Sequence, residues 1–202
     1  MKESVCISGP HGGGKSYLID ALVNDSNLFR KTTFEIDFLS QFTSFSSLRD
    51  WERSLIRLYH RIFMASLTVD REPGRCVLIS RGPLDSEAYI EAYYRLGWIE
   101  DPEYKVLRSI VDVIPAQPPT ILLLPDLALN RRRLDGRRSQ GVRAMRDTVF
   151  SREDAPEFLI ALHAAFQDMS DRSNVLTISD NQDAELDAAL EWIMEPNDRE
   201  AS

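Results

Sequence analysis

The sequence predicts a three-layer α/β fold in which a five-stranded parallel sheet carries helices on both faces. Two observations predict this fold. Five short apolar runs alternate with longer amphipathic runs along the 202 residues, so that helices separate successive strands and parallel pairing follows. Runs such as 121–124 are also continuously apolar, which is typical of strands buried on both faces. With 43% hydrophobic residues, the chain can bury a sizeable core.

The predicted elements follow one another without an internal repeat. Strands are expected at 4–8, 33–37, 76–80, 120–124 and 175–179, and helices at 15–23, 47–70, 85–96, 103–114, 127–135, 156–170 and 184–194. The longest helix has apolar residues at helical spacing, and Pro73 with Gly74 ends it. We therefore expect a single domain over 1–195 and a polar C-terminal tail over 196–202.

The charge of the chain narrows its class of partner. The net charge is −8 and the pI is about 5.0, so nothing draws the protein generally to nucleic acid or to an anionic membrane. Four of the 24 basic residues are lysines, at positions 2, 15, 31 and 105, which leaves 20 arginines. Arginine binds phosphate oxygens in pairs, so this composition is a first indication of phosphate chemistry.

Cysteine usage and hydropathy predict a soluble cytoplasmic protein. Cys6 and Cys76 lie in predicted strands and are expected to be buried, reduced thiols. The two cysteines and three histidines have no zinc-binding spacing. We find neither a signal-peptide pattern nor an apolar stretch long enough to span a bilayer.

A glycine-rich loop follows the first predicted strand. Its sequence is Gly9-Pro10-His11-Gly12-Gly13-Gly14-Lys15-Ser16, which fits G-x-x-x-x-G-K-[ST]. Glycines let backbone N–H groups turn toward a phosphate, and the N-terminus of the following helix attracts the same anion. Lys15 can reach the β- and γ-phosphates, while the Ser16 hydroxyl can ligate Mg²⁺.

The motif predicts a P-loop protein that uses ATP and Mg²⁺. We assign the nucleotide site to Gly9, His11, Gly12, Gly13, Gly14, Lys15, Ser16 and Tyr17, with Ser16 as the metal ligand. The sequence contains neither N/T-K-x-D nor D-x-x-G, which a GTPase needs, and no apolar strand followed by Asp-Glu, which a motor or transporter ATPase needs. A small-molecule kinase is favoured, with an ATP-binding regulatory protein as the alternative.

Arginines follow the third and fourth predicted strands. Arg81 lies in Ser80-Arg81-Gly82-Pro83-Leu84-Asp85, and the segment after the fourth strand contains Arg131, Arg132, Arg133, Arg137, Arg138, Arg143 and Arg146. With these motifs in order, the chain resembles the thymidylate kinase and deoxynucleoside kinase families. Those families have a P-loop, an Asp-Arg or Glu-Arg pair after strand three, and an arginine-bearing lid after strand four.

The resemblance implies a strand order of 2-3-1-4-5, a lid at about 131–152 and roles for three arginines. Arg81 stands where the families place an arginine near the acceptor or the transferring phosphate, and Arg133 and Arg137 have a similar spacing to lid arginines. The alternatives are a surface salt bridge for Arg81 and a solvated basic face for the lid. Ser80 replaces the usual acid, and Asp37, Asp85 and Asp126 are the candidates to take its place.

The acceptor site is expected after the second strand. Glu35 and Asp37 share one face of that strand, and Asp37 is nearer its carboxyl end. Nucleoside kinases place a carboxylate here to remove the proton of a sugar hydroxyl, so Asp37 is assigned to acceptor recognition or general base catalysis. No arginine lies between 33 and 48, which favours a hydroxyl acceptor over a phosphate.

Together these features predict ATP–Mg²⁺-dependent phosphoryl transfer to a nucleoside or nucleoside monophosphate. Another hydroxyl metabolite, such as a sugar, an antibiotic or an intermediate of specialised metabolism, is the alternative acceptor. We expect no nucleic-acid or membrane partner. Homodimers are common in the families resembled, so a homodimer is left open.

Overall fold

The computed structural model contains a five-stranded parallel sheet with the order β2-β3-β1-β4-β5. The strands are β1 (Ser4–Ser8), β2 (Phe29–Lys31), β3 (Cys76–Ser80), β4 (Thr120–Leu123) and β5 (Val175–Ile178). The structure describes residues 1–32, 47–66, 73–114, 118–140, 152–179 and 183–195. The predicted fold class and strand order are confirmed.

Helices connect these strands and cover the sheet. They are α1 (Lys15–Asp25), α2 (Asp50–Ser66), α3 (Pro83–Arg95), α4 (Asp101–Asp112), α5 (Leu127–Ser139), α6 (Pro156–Gln167) and α7 (Asp183–Met194), with a 3₁₀ turn at Arg152–Asp154. Most boundaries lie within a few residues of the predicted ones. Helix α3 begins two residues earlier than expected, because Pro83 occupies its first turn, where a missing N–H costs nothing.

The second strand differs from the prediction. It is found at Phe29–Lys31, where Phe29 pairs with Cys76 and Lys31 with Leu78, whereas the predicted range 33–37 lies outside the described residues. The observed strand is the edge of the sheet and only Phe29 in it is buried. A short strand of this kind lacks the continuous apolar run of a doubly buried strand, which is why periodicity misplaced it.

Hydrophobic clusters lie on both faces of the sheet. One joins Leu122 of β4 to Leu58, Tyr93 and Phe158 of the helices α2, α3 and α6. Another joins strand residues, including Ile121 of β4, to helices α1 and α7. Because neighbouring strand residues point to opposite faces, Ile121 and Leu122 enter different clusters. This confirms the three-layer arrangement.

A buried ion-pair cluster fixes helix α3, which carries several residues of the site described below. Glu87 is 2% exposed and accepts hydrogen bonds from Arg108 Nη1 at 2.5 Å and from both Nη atoms of Arg172 at 2.7 Å. Burial acts to raise the pKa of Glu87, but the two arginines hold it below its usual value. The cluster ties α3 to α4 and to the segment before β5.

No helix in the described ranges is long and apolar enough to cross a membrane.

Candidate phosphoryl-transfer site

The phosphate loop (residues 9–16) lies between β1 and α1, at the carboxyl edge of the sheet. The loop is packed tightly, since a Cβ at Gly9 would lie 2.2 Å from the Leu123 carbonyl oxygen, and φ there is +136°. Gly14 adopts the left-handed conformation directly before α1, with φ of 101°. Only glycine fits these positions, so the loop backbone can approach the end of β4 closely.

Lys15 is buried in this loop and points back onto it. Its Nζ donates to the carbonyl oxygens of Gly9 at 2.8 Å and Pro10 at 2.7 Å. Burial, followed by the positive charge of Arg81, lowers the pKa of Lys15 well below its ordinary value. The charged form of Lys15 is therefore disfavoured in the free loop, and a bound polyanion would stabilise it.

Asp85 contacts the backbone of the phosphate loop. It is fully buried and accepts hydrogen bonds from Gly82 N at 3.0 Å, Arg81 Nη1 at 3.2 Å and Gly9 N at 3.4 Å. Asp126 instead caps α5 by accepting from Leu129 N at 2.7 Å, and Asp37 lies outside the described residues. Of the candidates to replace the acid missing at Ser80, Asp85 is the one found beside the loop.

Arg81 has a strained backbone. Its φ of +69° is the only positive value among the described non-glycine residues, and its N–H donates to Ile7 O at 3.0 Å. Such a conformation costs about 1–2 kcal/mol and is found mainly where it serves a function. The guanidinium pairs with buried Asp85 rather than with a surface carboxylate. Although burial opposes it, Tyr89 and Asp85 raise the pKa of Arg81.

Helix α2 brings two further arginines to the same region, where they contact residues of α3. Arg57 Nη1 donates to Glu153 Oε1 at 3.2 Å and to Tyr93 Oη at 3.0 Å. Arg61 is 5% exposed, donates to Ser86 Oγ at 2.9 Å, and has a pKa that burial lowers to about 10. The guanidinium groups of Arg61 and Arg81 each lie 5.8 Å from the ring centre of Tyr89. These contacts concentrate positive charge beside the phosphate loop.

Glu153 joins the site from the 3₁₀ turn after the predicted lid. Its Oε1 accepts from Tyr93 Oη at 2.5 Å, and its Oε2 lies 3.5 Å from His11 Nε2. Burial acts to raise its pKa, but His11 and the Arg57 charge hold the pKa of Glu153 far below its usual range. Glu153 could not be predicted from the sequence, because it stands in a polar segment without a motif and only folding brings it to His11.

The two arginines that the sequence assigns to the lid lie close to the phosphate loop. Arg133 and Arg137, one turn apart on α5, line a cleft of about 430 Å³ together with Gly12, Gly14, Tyr17, Gly136 and Gln140. Tyr17 is 67% exposed and Ser16 is exposed at the start of α1. The predicted lid residues 141–151, including Arg143 and Arg146, lie outside the described residues.

Cys6 and Cys76 are free and buried, as predicted, and burial raises the pKa of Cys76 to about 12. No group of three or more His, Cys, Asp or Glu side chains in the described part of the chain is placed to hold a metal ion.

Position 82 needs glycine because a side chain there would collide with Cys6, and not because of its backbone conformation. Its φ is −125°, yet a Cβ there would lie 2.7 Å from Cys6 Sγ and 2.8 Å from Cys6 Cβ. We expect Gly82→Ala to lower the free energy of unfolding by about 1–3 kcal/mol, as overpacking does. Urea denaturation measures this change.

Two comparisons test this explanation for Gly82. A Cβ at Gly136 in α5 meets nothing within 4 Å, so Gly136→Ala is expected to be neutral or to stabilise by up to about 1 kcal/mol. In a Cys6→Gly background the additional cost of Gly82→Ala should shrink. An equal cost in both backgrounds would contradict a clash with Cys6.

Comparison with solved structures shows the class of fold: the chain has the P-loop fold of deoxynucleoside kinases. Deoxyadenosine kinase from M. mycoides with the products dCMP and a flexible dCDP superimposes with a TM-score of 0.68 at 13% identity, covering 95% of this chain and 96% of that one. The same kinase with bound dCTP gives 0.68 at 11% identity, covering 94% and 98%.

A third structure, with bound dATP, gives a TM-score of 0.67 at 12% identity, covering 95% of this chain and all of that one. No protein-family model matches the sequence, and no curated protein matches it. The likeness therefore lies in the fold, where it confirms the resemblance predicted from the motifs.

Proposed function

We propose that this protein is a kinase that transfers the γ-phosphoryl group of ATP to a small molecule, with a nucleoside or nucleoside monophosphate as the preferred acceptor. The observation that carries the proposal is the convergence of Lys15, Arg81 and Asp85 on the phosphate loop. Phosphoryl transfer needs little covalent help from a protein. It needs positioned cations around the phosphates, and this site supplies them.

The donor side of the site consists of the phosphate loop and helix α5. Lys15 would bind the β- and γ-phosphates, and Arg133 with Arg137 would close over them from the cleft that they line. Ser16, exposed at the start of α1, would hold Mg²⁺ together with phosphate oxygens, and the ion would neutralise charge on those oxygens. This donor set fits Mg²⁺, which is usually held by few protein ligands.

The acceptor side lies toward α2, α3 and the 3₁₀ turn. Arg81 and Glu153, which both contact His11, would offer a donor and an acceptor to a hydroxyl-bearing molecule. Asp37 remains our proposal for the general base. The solved kinases of the same fold were observed with dCMP, dCTP and dATP, which supports a nucleoside-type acceptor. A net charge of −8 supports the absence of a nucleic-acid partner, and we propose a cytoplasmic location.

The serine at position 80 supports a second candidate acceptor, a hydroxyl metabolite other than a nucleoside. The families resembled have an acid where this chain has Ser80 at the end of β3, so the contacts made there to metal or acceptor must differ. A kinase of another hydroxyl metabolite, such as a sugar or an antibiotic, would have the same donor site with a different acceptor site.

The test is ADP release from ATP–Mg²⁺ with a panel of nucleosides, nucleoside monophosphates and other hydroxyl metabolites. We expect one class to stimulate ADP release many-fold in the wild type and not in Lys15→Ala. Stimulation by a nucleoside would favour hydroxyl transfer, and stimulation by a monophosphate would favour phosphate transfer. ATP binding without stimulation by any panel member would contradict the proposed nucleoside or nucleotide acceptor.

A further inference from the structure

The side chain of His11 bridges the phosphate loop to two other parts of the site. Its Nδ1 lies 3.2 Å from Arg81 Nη2, and its Nε2 lies 3.5 Å from Glu153 Oε2. The imidazole is 15% exposed and meets the ring of Tyr89 edge-on, with centres 5.6 Å apart. Position 11 is a variable position of the G-x-x-x-x-G-K-[ST] pattern, so the motif itself does not require a histidine.

The chemistry of its two partners fixes the form of the imidazole. A guanidinium group only donates hydrogen bonds, so Nδ1 must accept from Arg81 and carries no proton. A carboxylate only accepts, so Nε2 interacts favourably with Glu153, 3.5 Å away, when it carries the proton. Together the two contacts match the tautomer of His11 that carries its proton on Nε2.

His11 is the middle member of a chain of polar contacts. On one side Arg81 binds Asp85, which in turn accepts from the backbone N–H of Gly9 in the phosphate loop. On the other side Glu153 binds Arg57 of α2 and Tyr93 of α3. The ring of His11 thus links Arg81 to Glu153 and, through Glu153, to α2.

We propose that His11 is a positioning residue, which holds Arg81 toward the transferred phosphate through Nδ1 and Glu153 toward the acceptor through Nε2. The role rests on the proposed kinase function. The two nitrogen atoms have different roles in this proposal. The contact of Nδ1 with Arg81 supports turnover, because Arg81 stabilises charge in the transition state. The contact of Nε2 with Glu153 supports acceptor binding.

Two conservative variants separate these duties. In His11→Asn the amide oxygen takes the place of Nδ1 and can still accept from Arg81, while the bond to Glu153 is lost. In His11→Gln the amide N–H₂ takes the place of Nε2 and can still donate to Glu153, while the bond to Arg81 is lost. His11→Ala loses both, and His163→Gln on α6 is the matched control for removing a histidine.

The measurement is steady-state kinetics with the best acceptor from the panel, with unfolding midpoints recorded for every variant. We expect His11→Asn to raise the acceptor KM by about tenfold or more with little change in kcat, and His11→Gln to lower kcat by a similar factor with little change in KM. His11→Ala should combine both losses. Adding Glu153→Gln to His11→Asn should cost less than it does in the wild type, because their bond is already broken.

Three outcomes would overturn the proposal. They are wild-type kinetics in His11→Ala, the same pattern of kcat and KM in the Asn and Gln variants, and full additivity of the Asn variant with Glu153→Gln. Failure of the proposed function is distinguishable, since it would be seen in the wild type as the absence of any acceptor-stimulated turnover.

Discussion

Replacing Lys15 by alanine is expected to lower kcat/KM for ATP by about 10²–10³-fold, the usual cost of removing one electrostatic stabiliser of a transition state. The physical reason lies in the position of the ammonium group. In the free protein it is held by the carbonyl oxygens of Gly9 and Pro10, beside the backbone that would surround the phosphates. It is therefore already in place when negative charge develops.

The same residue should make nucleotide binding take up protons. Burial and the Arg81 charge lower the pKa of Lys15 in the free protein, and a bound polyphosphate would raise it again. A group whose pKa rises on binding takes up a proton between its free and bound pKa values. We expect the number of protons taken up on binding to increase as the pH rises toward the ordinary pKa of lysine.

Calorimetry in two buffers with different ionisation enthalpies measures this uptake. The observed binding enthalpy should differ between the buffers for the wild type and agree between them for Lys15→Ala. Lys105→Ala, at an exposed position of α4, is the matched control and should behave as the wild type. Buffer-independent binding by the wild type across the alkaline range would contradict the prediction.

The second large effect is expected at Arg81, where turnover and stability should separate. Both Arg81→Ala and Arg81→Gly remove the guanidinium, and each is expected to lower kcat by about 10³-fold or more, as loss of an arginine that stabilises phosphoryl transfer does. The two variants differ only in the Cβ methyl group, which restricts the backbone conformation in alanine. Because φ is +69° at this position, glycine is expected to be more stable than alanine by about 1 kcal/mol.

Urea denaturation of the two Arg81 variants measures this difference, and each serves as the control for the other. Loss of the ion pair with buried Asp85 is common to both, so it cancels in the comparison. Equal midpoints would mean that the backbone at position 81 is relaxed. Turnover close to that of the wild type in either variant would exclude Arg81 from the chemistry.

The phosphate loop and Arg81 could be predicted from sequence because each is a local pattern at a strand end. Residues 9–16 and Arg81 follow β1 and β3 directly, and neighbouring parallel strands bring their carboxyl ends to one edge. The arginines of α5 were predictable for a related reason, since Arg133 and Arg137 stand one helical turn apart and so share a face.

Other parts of the site depend on tertiary contacts that no local pattern encodes. Glu153 reaches His11 across more than a hundred residues, and a lone glutamate in a polar segment resembles any surface acid. Asp85 could not be preferred over Asp126, because both stand near helix N-termini and only packing shows which of them meets the loop. The edge strand at Phe29–Lys31 could not be recognised in the sequence, because it is short and only Phe29 in it is buried.

The concentration of positive charge beside the loop bears on how the protein should be handled. Two carboxylates among the described residues, Asp85 and Glu153, interact electrostatically with four basic side chains. These are Lys15, Arg57, Arg61 and Arg81. Phosphate or sulfate ions in a buffer suit such a site and stabilise the state that binds them. Melting curves and acceptor screens are therefore best recorded in buffers without oxyanions, so that an added substrate meets an empty site.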